Sequence, residues 1–584
     1  MEEVVVTATR ASLPKRKVTK SVSVVTADQI QREGDNTVLE ALRNVPGVFV
    51  RQSGAIGRTT AAVIRGTTDK QVLVLLDGVK VSSPTLGSFN FATLPSDFID
   101  RIEVLRGSAS TLYGSDAIGG VINILTKRGQ GPMHTSFQHE FGTLRTFRET
   151  LANQAELGPI RYHLGVSRID SRGLSTGDRV HVTHVATTAS AQLAKRLSVD
   201  FSLNNNDSNV GIDDGAFRPD PNRFLEHEHL ALSAGLKATP IDPLEQELRF
   251  SLNTDDTLDV DLADPGTTQK TTKSRINTNR LALESLTRVN LSALGVLTGG
   301  FELQNDQAKS INNFTETVPI RAWFVEHQVE LMDRLTLLGG VRRTRHHLFG
   351  SQTTTEASAS YRIPVIETRL RGNFSQGFRA PNLNELFFPN FGNPALQPEK
   401  SQTFEMGVSQ ETWHGRLGGE LTWYDTRVRQ LIQSVQVDPT TFQAQNLNRV
   451  RMDGLELEAH LTPIDGLRLS GTWTYTNARQ EPSKVKLTRI PKHTVGLNVG
   501  YDFLKRWRLN VNATLVGDRR ESPGTSFEQR TKHYAKLDGM LSCQVTKVFQ
   551  VYGHIENLLD QHYSEVLGFP SPGTLFFIGG KVEI

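Results

Sequence analysis

Two patterns of hydrophobic and polar positions divide the chain. From about residue 134 onward, apolar and polar residues alternate, and the clearest stretches are 467–475, 495–501, 507–515 and 549–555. This period of two predicts β-strands with one apolar and one polar face. Before residue 134, short apolar runs are mixed with helix-like stretches, so we expect an α/β domain there.

The first region has recognisable helix and strand signals. Residues 28–30 open a short helix, and 38–42 form another that ends at the Pro46-Gly47 pair. The continuous apolar run 72–76, followed by the Asp77-Gly78 turn, predicts a buried strand. Residues 102–105 and 121–125 are apolar in the same way and predict two further strands.

The second region is too long for one β-sandwich. It contains 451 residues (584 − 133), whereas a sandwich rarely exceeds about 250 residues. Divided among 22 strands, it gives about 20 residues per strand and connection, which suits strands of about 10 residues joined alternately by short turns and longer loops. A transmembrane β-barrel is therefore the predicted fold of this region.

Composition agrees with a barrel and excludes other classes. The mean hydropathy is −0.33, and no apolar run approaches the roughly 18 residues of a membrane-spanning helix, whereas barrel strands alternate and keep the average low. The 65 basic and 62 acidic side chains nearly balance, so a nucleic-acid partner is not expected. The single cysteine, Cys543, excludes an intramolecular disulfide and a cysteine-based zinc site.

Several separated motifs resemble one family, the TonB-dependent outer-membrane receptors. An N-terminal β-branched run is one of them, and β-branched residues near a free end suit the addition of a strand to a partner's sheet. The other motifs are the segments 64–66, 74–79, 101–107, 112–123, 377–383, 393–401 and 557–563, the last of which resembles the family's final periplasmic turn. The similarity covers essentially the whole chain.

The resemblance implies a fold and a partner. The expected fold is a barrel of 22 antiparallel strands filled by an N-terminal α/β plug, with a TonB-box segment at 1–9, the plug at 10–133 and the barrel at 134–584. The residues expected to bind TonB are Glu3, Val4, Val5, Val6, Thr7 and Ala8. We also expect a monomer embedded in outer-membrane lipid.

Charged plug residues within a polar lumen need partners. Arg65, Arg101 and Arg106 lie in the plug motifs, and we expect them to pair with carboxylates of the barrel wall. Their predicted role is therefore structural rather than cargo-binding.

The resemblance implies import of a scarce, large cargo. The plug contains no histidine, since the first is His134, and none lies between 378 and 401, which disfavours the haem receptors of the family. The segment 393–401 and the plug motifs resemble the cobalamin receptors most, so cobalamin is the expected cargo. A ferric siderophore is the alternative.

Two apical plug segments are expected to meet the cargo. They are rich in small hydrogen-bonding residues, which suits a large neutral ligand with amide side chains better than a highly charged one. The candidate residues are Gln52, Ser53, Arg58, Thr59, Ser82, Ser83, Thr85, Ser88 and Asn90.

Cobalamin receptors of the family bind calcium through aspartates in two outer loops, and this chain has aspartates in two predicted loops, 204–222 and 255–270. Clustered carboxylates supply the six to eight oxygens that Ca²⁺ prefers. The candidate ligands are Asp207, Asp213, Asp214, Asp220, Asp255 and Asp256.

Other functional classes lack support in the sequence. No catalytic site is evident, so we do not expect an enzyme such as an outer-membrane hydrolase, and a passive porin would not carry a plug of about 130 residues. The first residues lack a basic and apolar leader, so we expect a mature sequence whose protein lies in the bacterial outer membrane. The chain ends at Ile584, where the family usually has an aromatic residue, which leads us to expect less efficient assembly.

Overall fold

The computed structural model describes residues 4–175, 177–212, 220, 222–264, 270–311, 313–438, 441–521 and 530–584. Within these ranges the chain forms an N-terminal plug and a closed β-barrel around it. Among the helices described, none is long and apolar enough to cross a membrane.

The barrel closes from 22 antiparallel strands, counted over the described residues, as the sequence predicted. Its first strand pairs with its last, with Ser136 opposite Glu583 and Gly142 opposite Phe577. The strands are His134–Gly142 (β10), Thr146–Leu157 (β11), Ile160–Ser171 (β12), Val180–Ala194 (β13), Leu197–Gly211 (β14), Phe224–Ile241 (β15), Leu244–Asp261 (β16), Thr272–Asn290 (β17), Val296–Ser310 (β18), Phe314–Leu331 (β19), Leu335–His346 (β20), Gly350–Ile363 (β21), Thr368–Arg379 (β22), Glu399–Thr412 (β23), Leu417–Gln436 (β24), Phe442–Leu461 (β25), Leu467–Glu481 (β26), His493–Phe503 (β27), Trp507–Val516 (β28), Tyr534–Gln544 (β31), Phe549–Glu556 (β32) and Leu575–Glu583 (β35).

Alternation along the strands separates two surfaces. On β27, the apolar Leu497 and Val499 point outward and are 48% and 43% exposed. Between them, Asn498 faces the lumen and donates a hydrogen bond to Asn510 at 3.2 Å. The period of two that predicted strands therefore also predicted which face meets lipid.

The two ends of the barrel differ in the length of their connections. One end has tight turns such as 158–159, 195–196 and 545–548, and we call it the short-turn end. The other, the long-loop end, has connections such as 172–179 and 380–398. The segment 557–563, which resembles a last periplasmic turn, belongs to the long-loop end instead, because β32 starts at the short turn 545–548 and runs away from it.

The plug is a five-stranded mixed sheet with short helices. The elements before the barrel are Val4–Val5 (β1), Leu13–Pro14 (β2), Val22–Thr26 (β3), Ala27–Glu33 (α1), Val38–Ala41 (α2), Val48–Gln52 (β4), Thr60–Ile64 (β5), Val72–Leu76 (β6), Val79–Lys80 (β7), Ile99–Arg106 (β8), Ser110–Tyr113 (α3) and Gly120–Thr126 (β9). The sheet order is β3-β8-β9-β6-β7, in which only β6 and β9 pair in parallel, and β4 and β5 form a separate antiparallel pair.

Local sequence explains the plug helices. Thr26 caps α1 by accepting a hydrogen bond from the Gln29 amide, and Gly34 ends it in the left-handed conformation. A capping box of Thr37 and Glu40 starts α2. The predicted helices and the buried strands β6, β8 and β9 are therefore confirmed.

Smaller elements complete the chain. Leu383–Phe387 (α4) lies in the long connection between β22 and β23, and four short strands lie in loops: Arg519–Arg520 (β29), Arg530–Thr531 (β30), Ser564–Val566 (β33) and Phe569–Pro570 (β34). Single 3₁₀ turns occur at Lys15–Lys17, Asp69–Gln71, Phe91–Thr93, Thr143–Arg145, Ser292–Leu294 and Trp413–Gly415.

Candidate functional site

The N-terminal segment 4–8 is packed against the plug at the short-turn end. Val4 and Val5 pair with Pro14 and Leu13 in a two-residue ladder. Val5 and Ala8 are buried in an apolar cluster that includes Leu286 and Phe324 of the barrel wall. A segment predicted to bind a partner is therefore docked on its own chain in this structure.

One carboxylate holds this segment. The Oε2 atom of Glu103 accepts hydrogen bonds from the backbone amides of Val6 at 2.9 Å and Thr7 at 2.8 Å, and from the Thr7 hydroxyl at 2.6 Å. Thr7 is also bonded through its carbonyl oxygen, which accepts from the Tyr113 hydroxyl at 2.9 Å, and through its hydroxyl oxygen, which accepts from Asn123 at 3.0 Å. Glu103 and Thr7 are fully buried. We call this arrangement the Glu103 latch.

The sequence did not predict the Glu103 latch. Glu103 lies inside the motif 101–107, but nothing in its spacing indicates that it accepts from residues almost a hundred positions earlier. Only the sheet places β8 beside the N-terminal segment. A charged acceptor makes each of these hydrogen bonds stronger than one between neutral groups.

Behind the latch, Arg65 fixes the plug to the barrel wall. Its guanidinium contacts Glu405 at 2.6 Å and Glu456 at 2.7 Å, and all three side chains are at most 2% exposed. Burial acts against the charged form of Arg65, but the attraction of Glu456 and Glu405 outweighs it and raises the pKa of this arginine. A buried charge held by two carboxylates is a structural tie between plug and wall.

The two other predicted plug arginines behave differently from each other. Arg106 contacts Glu456 at 3.1 Å and Glu420 at 3.6 Å, both on the wall, as expected. Arg101 does not reach the wall. It pairs with Asp100 at 2.8 Å and Glu103 at 2.9 Å on its own strand, because its side chain lies at the solvent-accessible edge of the plug and is 26% exposed.

Further ties between plug and wall were not foreseen. Lys20 contacts Glu356 at 2.5 Å with both side chains buried. Burial disfavours the charge on Lys20, but Glu356, Glu326 and Glu405 together outweigh burial and raise the pKa of the lysine. The sequence could not show which lumen carboxylate meets which plug residue, because strand register cannot be read from one sequence.

At the long-loop end, Arg58 ties the plug apex to a barrel loop. Its guanidinium is ion-paired with Asp178 of the loop 172–179, and both side chains are buried. The neighbouring Gly57 has φ +83°, and a Cβ there would lie 2.8 Å from Val180. The charge predicted to face the cargo is thus neutralised within the protein.

The second apical segment is covered by the connection that contains α4. Ser82, Ser83 and Thr85 are buried. The amide of Leu383 donates to the Pro84 carbonyl at 3.1 Å, and the side-chain amide of Asn382 donates to the Leu86 carbonyl at 2.9 Å. A cargo would have to displace this loop to contact these residues.

The remaining predicted contacts are partly open. Thr59 is exposed, whereas Gln52, Ser53, Ser88 and Asn90 are half-buried. Asn90 has a structural contact, since its side-chain oxygen accepts from the Thr60 amide at 3.1 Å. The predicted contacts that remain accessible are therefore neutral polar groups, with Thr59 the most exposed.

A basic pair that the sequence did not reveal lies near this surface. Arg51 of the plug contacts Asp69 at 3.8 Å. Burial lowers the pKa of Arg51, Asp69 opposes that effect, and the nearby Arg489 of the loop 482–492 reinforces it. Arg489 itself is paired with Glu521 at 2.6 Å.

The calcium candidates that the structure describes do not converge. The first part of each predicted loop is strand, since β14 extends to Gly211 and β16 to Asp261, so Asp207, Asp255 and Asp256 are strand residues. Asp207 is exposed on the outer face, Asp255 faces the lumen beside His227 at 3.0 Å, and Asp256 pairs outside with Arg275 at 2.5 Å.

The fourth described candidate, Asp220, has a local contact. Asp220 accepts from the Asn222 amide at 3.3 Å, and Asp213 and Asp214 lie outside the described residues. Across the described ranges, no group of three or more histidine, cysteine, aspartate or glutamate side chains could hold a metal ion. The described aspartates therefore do not fit a calcium cage.

A closed barrel with an outward apolar face, filled by a plug that is tied to its wall, defines a plugged outer-membrane receptor. The sequence matches the family models "TonB-dependent Receptor Plug Domain" over residues 14–121 and "TonB dependent receptor-like, beta-barrel" over residues 165–558. The chain belongs to the TonB-dependent receptor family, and its location is accordingly the bacterial outer membrane.

Two relatives that match over nearly the whole chain are vitamin B12 transporters. The chain is 27% identical over 573 residues to the vitamin B12 transporter BtuB of Photobacterium profundum, covering 96% of this chain and 92% of that protein. It is 25% identical over 607 residues to the vitamin B12 transporter BtuB of Vibrio cholerae, covering 99% and 94%.

Solved structures share the fold at lower identity. The siderophore receptor PirA from Acinetobacter baumannii superposes with a TM-score of 0.82 at 17% identity, covering 98% of this chain and 99% of that one. The ferripyoverdine receptor of Pseudomonas aeruginosa superposes with a TM-score of 0.83 at 16% identity, covering 100% and 89%. These similarities concern the fold alone.

Proposed function

We propose that this protein imports cobalamin across the outer membrane in a TonB-dependent manner. The observation that carries the proposal is the similarity to vitamin B12 transporters over 96% and 99% of the chain. The neutral surface at the plug apex, where Asp178 neutralises Arg58, supports a cargo with amide rather than strongly acidic groups.

The proposed mechanism begins with cargo at the long-loop end. Cargo docks on the apical segments and the loops above them, and the docked state favours release of residues 4–8 from the Glu103 latch. Because a ligand shifts a conformational equilibrium only by its differential affinity, the cargo must bind the released state more tightly than the latched one. TonB then captures the freed segment by strand addition and moves part of the plug.

No covalent chemistry is part of this proposal. The chain's own residues bind, hold and release. Glu103 retains the N-terminal segment, and Arg65 with Arg106 retains the plug body while the segment is exchanged.

The test is a calorimetric titration of the detergent-purified protein with cyanocobalamin, with and without calcium. Saturable binding supports the cargo, and stronger binding with calcium would assign a role to aspartates that include Asp213 and Asp214. No binding in either condition removes cobalamin and leaves the family assignment intact.

A ferric siderophore is the second candidate, and one specific observation favours it. Arg51 lies near Arg489 at the apical surface and has only a long contact, 3.8 Å, with its partner Asp69, and a guanidinium held this loosely suits an anionic cargo. If this candidate is correct, the replacement Arg51→Gln should lower the affinity for a ferric catecholate siderophore at least tenfold. Arg101→Gln, at the opposite end of the plug, is the matched control and should leave that affinity unchanged.

A further inference from the structure

We propose that the outer surface of the barrel carries a binding site for a phosphorylated lipid of the outer leaflet. The site is a cluster of basic side chains on β23–β26 and the loop that follows, which we call the outward basic patch. Its members are Lys400, Arg427, Arg429, Arg449, Arg451, Arg479 and Lys484.

Strand alternation places the patch on the lipid side of the wall. Glu399 and Ser401 are buried in the lumen, where Glu399 pairs with Arg379 at 2.6 Å. Lys400 lies between them and therefore points outward. Val428 and Val450 are buried on the lumen side in the same way, so the arginines on either side of each face the exterior.

The register brings like charges together. Lys400 lies directly opposite Arg429, and Arg429 lies directly opposite Arg449. A second row runs from Arg427 to Arg451 and on to Arg479. Like charges opposite each other across neighbouring strands are destabilising, so this arrangement favours an anion that bridges them.

Carboxylates neutralise only part of the patch. Asp425 contacts Arg427 at 3.0 Å and Arg451 at 2.7 Å. Further pairs join Arg451 with Asp453 at 3.6 Å, Arg479 with Asp453 at 2.9 Å, Arg479 with Glu481 at 3.1 Å and Lys484 with Glu481 at 2.5 Å. Seven basic groups face three carboxylates, which leaves a net charge of +4.

The row formed by Lys400, Arg429 and Arg449, which is the nearer of the two to the long-loop end, is the part of the patch left for a ligand. Lys400, Arg429 and Arg449 are exposed. Within the part of the chain that the structure describes, no carboxylate lies within ion-pair distance of these three side chains. Guanidinium groups in such a row match the geometry of phosphate oxygens.

The patch lies at the edge of the lipid-facing belt. Arg427 comes 10 residues after the start of β24 at Leu417. At about 3.3 Å per residue and a tilt near 40°, this is roughly 25 Å from the short-turn end, which equals the height of the apolar band of such barrels. Below the patch, Met406 and Trp423 are opposite each other and are 65% and 39% exposed.

The surface is concave where the basic side chains meet polar ones. A groove of about 1690 Å³ is lined by Lys400, Arg427, Arg429, Arg449 and Arg451, by one carboxylate, Glu481, and by apolar and neutral polar residues. The neutral lining includes Ser351, Gln376, Gln402 and Gln430. These amides and hydroxyls suit the sugar or glycerol part of a lipid headgroup.

A lipid fits better than a free anion because the patch continues into the apolar belt. Phe404 lies one outward position below Gln402 and is 47% exposed, and Met406 follows one position further. A molecule with phosphate at its head and acyl chains at its tail can contact both zones at once. Inorganic phosphate can contact only the basic rows.

The test is native mass spectrometry of the full chain in a mild detergent, titrated with lipid A that carries two phosphates. The wild type should bind this lipid at least tenfold more tightly than its dephosphorylated form. The variant Lys400→Gln/Arg429→Gln/Arg449→Gln should lose at least tenfold in affinity, and binding to the wild type should weaken as salt is raised.

The matched control is Lys505→Gln/Arg506→Gln/Lys547→Gln, which removes three exposed charges at the short-turn end and should bind like the wild type. Equal binding by the patch variant, equal binding of dephosphorylated lipid, or displacement of the lipid by equimolar inorganic phosphate would each overturn the proposal. If the patch variant fails the heat-modifiability check of barrel folding, the comparison of the two lipids on the wild type decides.

Discussion

The N-terminal segment and the plug body are held by different kinds of interaction. The plug body is tied to the wall through buried charges, as in the contact of Arg65 with Glu405 at 2.6 Å. The segment 4–8 is held by hydrogen bonds to one plug carboxylate, Glu103, and by burial of Val5 and Ala8. One attachment joins plug to barrel, whereas the other joins the segment mainly to the plug.

The difference has an energetic consequence. Breaking a buried ion pair by removing one partner costs about 3–5 kcal/mol, because the remaining charge is left without compensation. Each hydrogen bond to a charged group contributes about 1.5–3 kcal/mol, so the three bonds to Glu103 together are comparable to one ion pair, but on release the amides and the hydroxyl of the segment regain hydrogen bonds to water. The segment can therefore leave while the plug body stays.

The largest expected effect comes from breaking the plug tie. Arg65→Met removes the shared partner of Glu405 and Glu456, and we expect it to destabilise the plug body by about 3 kcal/mol. Hydrogen exchange of the β6 amides measures this as lost protection. Arg101→Met is the control, because Arg101 pairs only within its own strand, and protection in Arg65→Met equal to that control would contradict the assigned role.

The next effect comes from opening the latch. Glu103→Ala removes three hydrogen bonds to Val6 and Thr7, and we expect at least a tenfold increase in the rate of tryptic cleavage after Arg10, with β6 protection retained. Asp100→Ala is the matched control, since Asp100 is a neighbouring carboxylate with no hydrogen bond to the segment in the described structure. Equal cleavage rates in the two variants would refute the latch.

A third change separates capture from cargo binding. Val6→Pro removes an amide that donates to Glu103 at 2.9 Å in the docked state and that strand addition to TonB would need. We expect uptake to be abolished while cargo binding at the cell surface persists. Val6→Ala keeps the amide and should still take up the cargo. Normal uptake by Val6→Pro would contradict the TonB-box assignment.

The smallest expected effect tests the plug apex. Gly57→Ala forces a side chain into φ +83° and places its Cβ 2.8 Å from Val180, which we expect to cost about 1–2 kcal/mol. Gly131→Ala is the control, because Gly131 also has a positive φ, +67°, but a Cβ added there would meet no atom within 4 Å. The control therefore measures the backbone strain without the steric clash. If both variants lose the same stability in thermal unfolding, the apex is not closely packed against the wall.

Much of the fold was predictable because the signals are local. The alternation at 495–501 predicted β27 and its outward face, and the apolar run 72–76 predicted β6. The prediction that Asp207, Asp255 and Asp256 lie in loops was wrong, because β14 and β16 extend with polar residues on both faces. Near Asp255 and Asp256 both faces are polar, so hydropathy alone cannot separate a strand from a loop.

The site was less predictable because it depends on contacts distant in sequence. The motif containing Arg65 indicated a charge that needs a partner, but not that Glu405 and Glu456, more than 300 positions later, supply it. Arg101 occurs in a similar motif yet stays within its own strand. Distinguishing them requires the position of each side chain in the lumen.

The central claim is that the N-terminal segment detaches while the plug body remains in place. Its most direct test is electron paramagnetic resonance of a spin label at Val6→Cys, with a second sample labelled at Asp100→Cys, both in a Cys543→Ser background. On addition of cargo and a soluble TonB fragment, we predict that the label at 6 becomes mobile while the label at 100 does not. Mobility gained at both positions together, or at neither, would contradict the account.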